Sequence, residues 1–176
     1  MSNIDEILEV NRRFVSNKQY AAYASTKIPA KKLAILSCMD ARLTELLTAA
    51  LGIQNGDAVV IKNAGAVITD PYDSAVRSLL VAIYVLGVRD ILVIGHYDCG
   101  VEGMNSTEMA RKMMDRGITV QAMEGIDLDR WLRGFTRIEE AVLETVCTLR
   151  RHALLPADIR IEGFVMDPIT GALNEM

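Results

Sequence analysis

The sequence predicts an α/β fold in which a mostly parallel central sheet is flanked by helices. Short apolar runs of strand length alternate along the chain with longer segments in which apolar residues recur at every third or fourth position. The short runs lack the polar–apolar alternation of a sheet with one solvated face, so both faces of each strand are expected to be buried. Alternating helices and buried strands indicate a parallel sheet. Ligands of such sheets bind beyond the carboxyl ends of the strands.

Four apolar runs are predicted to form the strands of this sheet. They are Leu33–Ser37, Ala58–Ile61, Asp90–Gly95 and Ile159–Val165. The tail Asp167–Leu173 is typical of a turn that leads into a short edge strand. No repeat, low-complexity run or linker divides the chain, so its 176 residues are expected to form a single domain.

Three segments are predicted to be helices, at about 43–51, 74–86 and 137–151. Residues 74–86 are apolar nearly all round, which predicts a helix buried in the core or at a subunit interface. Residues 102–134 are rich in Met and interrupted by Gly, and they predict short helical pieces. The last of the three helices has an apolar stripe formed by Ile138, Ala141, Val142, Thr145, Val146 and Leu149.

Composition and charge exclude several classes of partner. The net charge of −4 argues against nucleic acid and anionic membranes, whose binding proteins are normally basic. No segment has the roughly 20 uninterrupted apolar residues that a membrane span needs. The first residues, Met1–Glu6, lack the basic start of a signal peptide, and an odd number of cysteines does not suggest a secreted disulfide framework. We therefore expect a cytoplasmic protein.

Two of the predicted strands are followed by residues that can bind a metal. Cys38 follows the first strand, and His96 and Cys99 follow the third. Thiolate and imidazole ligands suit Zn²⁺ in a tetrahedral site, and three protein ligands leave one position open for water. Zinc lowers the pKa of such a water to roughly 7 or somewhat higher, which makes it a nucleophile near neutral pH. A cysteine at a strand end is more often a small buried hydrophobe, so the zinc hypothesis depends on the combination.

Two charged residues follow the first cysteine. Asp40 is placed to accept a hydrogen bond from a metal-bound hydroxide and so to fix its lone pair toward a substrate. Arg42 is expected to pair with Asp40 and to lower the pKa of that carboxyl. An unpaired Asp40 could instead swing onto the metal and close the site. Because an Asp-x-Arg pattern alone is usually a surface ion pair, this hypothesis also depends on the neighbouring ligands.

The two loops resemble the paired signatures of the β-class carbonic anhydrases, Cys-x-Asp-x-Arg and His-x-x-Cys. These signatures correspond to Cys38–Arg42 and His96–Cys99 in this chain. Leu51–Ile53, Gly56–Asp57 and Lys62–Gly65 also resemble segments of the small prokaryotic members. The order of the predicted elements agrees with that family, so the resemblance extends over residues 30–175.

The resemblance implies the β-carbonic anhydrase fold and an enzyme that hydrates carbon dioxide reversibly to bicarbonate and a proton, by attack of a zinc-bound hydroxide. It implies one Zn²⁺ per chain, bound by Cys38, His96 and Cys99. It also implies that Asp40 and Arg42 are the catalytic pair that orients the hydroxide.

Members of this family are dimers or assemblies of dimers, so the resemblance also implies a homodimer or a larger assembly. Residues 1–25 are expected to form a helical arm that packs on a partner subunit. The apolar residues of this arm are Ile4, Ile7, Leu8, Phe14 and Val15.

One departure from the family concerns an inhibitory bicarbonate site, which some relatives build from a Trp and an Arg. Ile35 and Lys62 occupy those positions here, so we expect an open zinc site at neutral pH, with Asp40 off the metal. Two alternatives remain at this stage: a hydrolase of carbonyl sulfide or carbon disulfide, and a non-catalytic protein that binds zinc or bicarbonate. A thiol redox protein is disfavoured, because the sequence contains no Cys-x-x-Cys.

Two further residues of chemical interest are given structural roles. Cys147 lies in the middle of a predicted helix near its apolar stripe and is expected to be part of the packing. His152 lies at the end of the same helix and is expected to interact with the helix dipole.

Overall fold

A computed structural model describes residues 2–176 and contains one five-stranded sheet. The spatial order of its strands is β2-β1-β3-β4-β5. Strands β1 to β4 are parallel, and β5 is antiparallel to β4. The predicted α/β class with a mostly parallel sheet is therefore confirmed. The strands are β1 Leu33–Cys38, β2 Ala58–Asn63, β3 Asp90–His96, β4 Arg160–Met166 and β5 Leu173–Glu175.

The helices agree with the predicted segments except after β1. There the expected single helix is divided into a 3-10 turn, Ala41–Leu43, and one short helix. The Asp40 carboxylate accepts the backbone N–H of Arg42 and so starts the turn at that point. The α-helices are α1 Asn3–Ser16, α2 Leu46–Ala50, α3 Ser74–Tyr84, α4 Ser106–Asp115, α5 Val120–Met123, α6 Leu128–Trp131 and α7 Ile138–Arg150.

Helix α7 lies directly on the sheet and buries the whole of its predicted apolar stripe. Two glycines in the strands below it make this close approach possible. A Cβ atom at Gly95 would lie 2.6 Å from Cδ1 of Ile138, and one at Gly163 would lie 2.8 Å from Cγ1 of Val142. Any side chain at either position would therefore push the helix away from β3 and β4.

Helix α3 packs on β1 and β2, but it is not buried all round. Burial of the whole segment in the core of this chain is wrong for Val81, Tyr84 and Val85, whose side chains are exposed. One face of the helix packs on the sheet. The opposite face is exposed, because no other element of the described chain covers it. The subunit-interface alternative therefore remains a prediction for that face.

The sheet topology brings the two predicted ligand loops together. The chain leaves β1 toward β2 on one side and returns to β3 on the other side, so β1 and β3 flank a topological switch point. Ser37 at the end of β1 is in register with Ile94 near the end of β3. The loops after Cys38 and His96 consequently begin side by side at the carboxyl edge of the sheet.

Helix α1 contributes nothing to this core, because none of its residues is buried. Its main contacts are with the 3-10 turn Gln19–Tyr23, where the rings of Phe14 and Tyr23 lie 6.0 Å apart between centroids. The side chain of Asn55 donates to the carbonyl of Tyr23 and so attaches the turn to the rest of the chain. Among residues 2–176, no helix is both long and apolar enough to cross a membrane.

Candidate metal centre

Cys38, His96 and Cys99 meet in a buried cluster at the carboxyl edge of the sheet. Their potential ligand atoms all lie within 4.8 Å of one another, and the two sulfur atoms are 3.8 Å apart. His96 is fully buried, and the two cysteines are nearly so. The cluster therefore presents two sulfur atoms and one nitrogen atom to a common point.

The imidazole of His96 is oriented as a metal ligand would be. Its Nδ1 lies 2.8 Å from the carbonyl oxygen of Tyr97, so Nδ1 carries the proton and donates it to that oxygen. The lone pair is then on Nε2, which is buried and has no hydrogen-bond partner within residues 2–176. A buried acceptor without a partner is costly, and a bound metal ion would satisfy it. The cluster therefore fits a metal such as zinc, because the unpaired Nε2 atom lies beside two sulfur atoms that could bind the same ion.

The two thiols differ in acidity. Burial opposes the ionisation of Cys38, but the adjacent His96 ring and the backbone N–H groups of Asp40 and Gly65 lower the pKa of this thiol to about 7. Burial, reinforced by the charge of Cys38, raises the pKa of Cys99 to about 11. One thiolate thus forms readily, while the second needs a cation beside it. Metal binding at this cluster is expected to release protons.

Asp40 and Arg42 form a two-point ion pair at the edge of the cluster. Nε of Arg42 donates to Oδ1 of Asp40 at 3.0 Å, and Nη2 donates to Oδ2 at 2.9 Å. These bonds from the guanidinium lower the pKa of Asp40 to about 2, so the carboxyl is ionised at neutral pH. Oδ2 of Asp40 lies only 3.7 Å from Nε2 of His96. The carboxylate is therefore next to the ligand atoms but is held by Arg42.

Arg42 also contacts the second ligand loop, through a residue that the sequence patterns did not single out. Nη1 donates to Oδ2 of Asp98 at 2.8 Å, and Nη2 donates to the backbone carbonyl of Asp98 at the same distance. Asp98 has a φ of 55°, in the left-handed region that Asp tolerates better than most residues. No sequence signal distinguishes this aspartate, because it lies between two ligands in a loop where polar residues are common.

Lys62 and Gly65 support the first ligand loop. Nζ of Lys62 donates to the carbonyl oxygens of Cys38 and Leu43, so it joins the two ends of the loop that carries Asp40 and Arg42. The backbone N–H of Gly65 points at Sγ of Cys38 at 3.4 Å. Gly65 has a φ of 82°, and a Cβ atom there would lie 2.8 Å from the ring of Phe135. Both residues belong to a segment that the resemblance singled out; Lys62 was noted there as a departure from the bicarbonate site of some relatives, and neither residue was expected to support the loop.

The packing role expected for Cys147 is wrong, and His152 makes two hydrogen bonds that the sequence does not predict. Cys147 is exposed, because it lies one position beyond Val146 and so points away from the apolar stripe of α7. Nδ1 of His152 accepts the N–H of Leu154, which leaves the proton on Nε2 for donation to the carbonyl of Pro71 at 2.8 Å. The ring of His152 therefore joins two loops, and its interaction with the dipole of α7 remains a prediction.

A cavity of about 480 Å³ lies beside this centre but includes none of the predicted site residues. Its lining includes Arg130, Arg133 and the buried Thr145. Phe135 lines this cavity and also packs in the apolar cluster that contains Cys38 and Cys99. Phe135 thus lies between the cavity and the candidate metal centre.

Comparison with known proteins identifies the family. The family model described as carbonic anhydrase matches residues 33–172. The YvdA protein of Bacillus subtilis is 44% identical over 179 residues, which cover 99% of this chain and 91% of YvdA. Beta-carbonic anhydrase 1 of Mycobacterium tuberculosis is 33% identical over 148 residues, which cover 84% of this chain and 83% of that protein.

The solved structures agree with the sequence comparison. The crystal structure of beta-carbonic anhydrase isoform I from Trichomonas vaginalis superposes with a TM-score of 0.93 and 32% identity, over 99% of this chain and 97% of that chain. The family-model match includes both candidate ligand loops and the four parallel strands β1 to β4, and it ends just before β5. The chain belongs to the carbonic anhydrase family, in its β class.

Proposed function

We propose that this chain is a zinc-dependent carbonic anhydrase, which converts carbon dioxide and water reversibly to bicarbonate and a proton. The observation that carries the proposal is the buried cluster of two thiols and one imidazole whose Nε2 lacks a hydrogen-bond partner within the described chain. Family membership supplies the reaction, and the cluster supplies a place for the metal that the reaction needs.

Cys38, His96 and Cys99 are the proposed ligands of one Zn²⁺. Zinc bound by three protein ligands lowers the pKa of a fourth, water ligand and so provides a nucleophile near neutral pH. The Tyr97 carbonyl fixes the tautomer of His96 and aims Nε2 at the metal position. The N–H of Gly65 stabilises the Cys38 thiolate, which keeps this sulfur available as a ligand at neutral pH.

Asp40 and Arg42 are the proposed catalytic pair. Because Arg42 occupies both oxygens of Asp40, the carboxylate stays ionised and remains an acceptor beside the ligand atoms. An acceptor at this point can orient the proton of a nucleophile and direct its lone pair toward carbon dioxide. The pair also supports the expectation of an open site at neutral pH, in which Asp40 is held away from the metal.

Stopped-flow measurement of carbon dioxide hydration by zinc-loaded protein, across about pH 7 to 9, tests the proposal. We expect turnover that rises with pH, one zinc per chain, and loss of both zinc and turnover in Cys38→Ser. Cys147→Ser is the matched control, because this cysteine is exposed on α7 and should leave zinc content and turnover unchanged. Stoichiometric zinc without turnover would instead favour the non-catalytic alternative.

Hydrolysis of carbon disulfide or carbonyl sulfide is a second candidate activity. The carbon disulfide hydrolase of Acidianus is 31% identical over 162 residues, which cover 82% of this chain and 77% of that enzyme. The same metal cluster could serve either substrate, since specificity depends on the route by which a substrate reaches it. Hydrogen sulfide release from carbon disulfide, measured in parallel with carbon dioxide hydration, separates the two activities.

A homodimer or an assembly of dimers is the proposed oligomeric state. Helix α1 exposes an apolar stripe that includes Ile4, Ile7 and Leu8, and a monomer would leave this stripe in water. We propose that residues 1–25 form an arm whose stripe packs on a second copy of the chain, while all 176 residues form one catalytic domain. The exposed apolar side chains of Val81, Tyr84 and Val85 make the outer face of α3 a second candidate for this interface.

Light scattering of the full chain tests the arm. The double variant Ile7→Gln/Leu8→Gln should weaken self-association at least tenfold, since each buried aliphatic side chain contributes about 1.5 to 3 kcal/mol. Glu9→Gln/Arg12→Gln is the matched control, because it places two glutamines at exposed polar positions of the same helix. Equal association constants for the two double variants would contradict the proposed arm.

A cytoplasmic location is also proposed. The candidate site requires two reduced thiols, and its sulfur atoms are close enough to react with each other under oxidation. A reducing compartment would keep them available for a metal. Cell fractionation with an antibody to the chain tests this proposal directly.

A further inference from the structure

Arg42 connects the two proposed ligand loops through hydrogen bonds from its charged side chain. Through one edge it holds both oxygens of Asp40, on the loop after β1. With its remaining donors it contacts the carboxylate and the backbone carbonyl of Asp98, on the loop after β3. The guanidinium therefore lies between two aspartates that approach it from different strands.

We propose that Asp98 is a positioning residue that holds Arg42 in place and, through Arg42, keeps Asp40 off the metal. This inference rests on the proposed function, because it assigns a partner to the proposed catalytic pair. Oδ2 of Asp40 is 3.7 Å from Nε2 of His96, so a carboxylate released by Arg42 has only a short distance to move before it becomes a fourth ligand. Arg42 prevents this movement only while its own position is fixed.

The position of Arg42 depends on Asp98 because Asp40 alone does not anchor it to a second element. Asp40 and Arg42 belong to the same short loop, so a bond between them does not fix the guanidinium relative to the loop after β3. The contact with Asp98 ties this pair to the loop that carries Cys99. Two separate bonds, one to the carboxylate and one to the carbonyl, define the orientation of the planar guanidinium.

The backbone of Asp98 is adapted to this contact. Its φ of 55° places the residue in the left-handed region, where the carbonyl as well as the side chain can reach Arg42. Asn and Gly adopt this region readily, whereas most other residues do so at a cost. Substitution by Asn or Gly therefore separates the role of the carboxylate from that of the backbone.

Exposure of Asp98 does not reduce the contact to an ordinary surface ion pair. Isolated exposed pairs contribute little, and Arg89 with Asp158, 3.8 Å apart at the other end of the sheet, is such a pair. Arg42, in contrast, makes five hydrogen bonds to Asp40 and Asp98 if its backbone N–H is included. A network of this kind fixes geometry even where each bond is partly exposed to water.

The first experiment measures the exchange of the Arg42 Nε–H proton by NMR in reduced, metal-free full-length protein. Asp98→Gly should speed this exchange about threefold to tenfold, as expected for the loss of one or two partly exposed hydrogen bonds. Asp98→Asn should have a smaller effect, because the amide keeps an acceptor. Asp158→Asn is the matched control and should change nothing. Unchanged exchange in both Asp98 variants would overturn the proposal.

The second experiment uses Co²⁺ as a spectroscopic substitute for zinc. Asp98→Gly should alter the visible absorption of the Co²⁺-loaded protein, because Asp40 becomes a ligand, and the change should disappear in Asp98→Gly/Asp40→Ala. A change that persists without Asp40 would show that Asp98 acts by another route and would overturn the proposal. Should Asp98→Gly fail to fold, Asp98→Asn provides the same comparison.

Failure of the proposed function has a different signature. If the native zinc-loaded protein does not hydrate carbon dioxide, the proposed activity is wrong, while both spectroscopic experiments still test the role of Asp98. If the native protein is active and both spectroscopic results are negative, the activity stands and the role of Asp98 is wrong.

Discussion

Helices α1 and α7 have similar apolar stripes but opposite surroundings. In α7 the stripe is buried on β3 and β4, and its fully buried members include Val142 and Leu149. In α1 the stripe faces away from the described chain, and no residue of the helix is buried. Helix α1 begins with a capping box and an acidic first turn, and α7 also has an acidic first turn. A difference in the charge of the first turn therefore does not explain the contrast.

Periodicity therefore identifies the face of a helix that must be covered, but not the surface that covers it. For α7 that surface is supplied by the same chain, because glycines in β3 and β4 open a place for it. For α1 we propose that a second chain supplies it. Three variants test this comparison, and a fourth prediction concerns the ion pair at the candidate site.

Leu149→Ala should have the largest effect. Leu149 belongs to the apolar stripe of α7 and is fully buried. The removal of a buried leucine side chain destabilises a protein by about 2 to 5 kcal/mol. Urea unfolding of the metal-free protein measures this loss. A loss below about 1 kcal/mol would mean that α7 is less tightly packed than the structure indicates.

Gly95→Ala should have the next largest effect. Its Cβ atom would lie within 3 Å of atoms in Ile138 and Val142, so we expect a loss of about 1 to 3 kcal/mol in the free energy of unfolding. Gly100→Ala is the control, because no atom lies within 4 Å of a Cβ at that exposed position. The second substitution Val142→Ala should recover part of the loss, and a double-mutant cycle by urea unfolding checks this coupling.

Leu8→Ala should have a small effect that depends on concentration. In dilute protein, below the dissociation constant of the dimer, we expect a change within about 0.5 kcal/mol, because half of the side chain is already exposed. At high concentration the loss should increase, since the native chain would gain stability from the partner and the variant would gain less. An effect independent of concentration would contradict the proposed cover for α1.

The ion pair of Asp40 with Arg42 should make the free energy of unfolding depend slightly on pH. The folded pKa of Asp40 is about 2, below the ordinary value of 3.8, so the pair stabilises the fold fully above 3.8 and is lost as the pH falls toward 2. We expect a small contribution to the free energy of unfolding, because Arg42 is partly exposed and water screens the pair. Carboxyl-carbon NMR between about pH 5 and 3.5 should show Asp40 still ionised in the native protein and partly protonated in Arg42→Met.

Much of the fold could be predicted from the sequence. Buried parallel strands are continuous apolar runs, and the observed bounds of β1, β3 and β4 differ from the predicted ones by one residue at most at each end. The loop after β1 could not be predicted in the same way. Its 3-10 turn depends on a side-chain bond from Asp40 to the backbone of Arg42, which interrupts an otherwise helical pattern.

The candidate site was predictable in its proposed ligands but not in the residues that support them. Cys38, His96 and Cys99 carry chemistry at strand ends that the topology brings together. Lys62, in contrast, donates to a backbone carbonyl, and Asp98 accepts from Arg42 through its own backbone carbonyl in a left-handed conformation. No pattern of residue types predicts either contact. The burial of Cys147 was wrongly predicted because a position close to a stripe in sequence can point to solvent.

The hydrogen bonds of His152 have a consequence for the protons that hydration produces. The chain has two histidines: the nitrogen atoms of His152 are engaged by Leu154 and Pro71, and His96 is the proposed zinc ligand. Neither ring is then free to relay a proton to bulk water. We expect turnover to increase with buffer concentration until it reaches a plateau, and His152→Ala to leave that dependence unchanged. The rate of carbon dioxide hydration would then be set by how quickly the surrounding solution accepts protons.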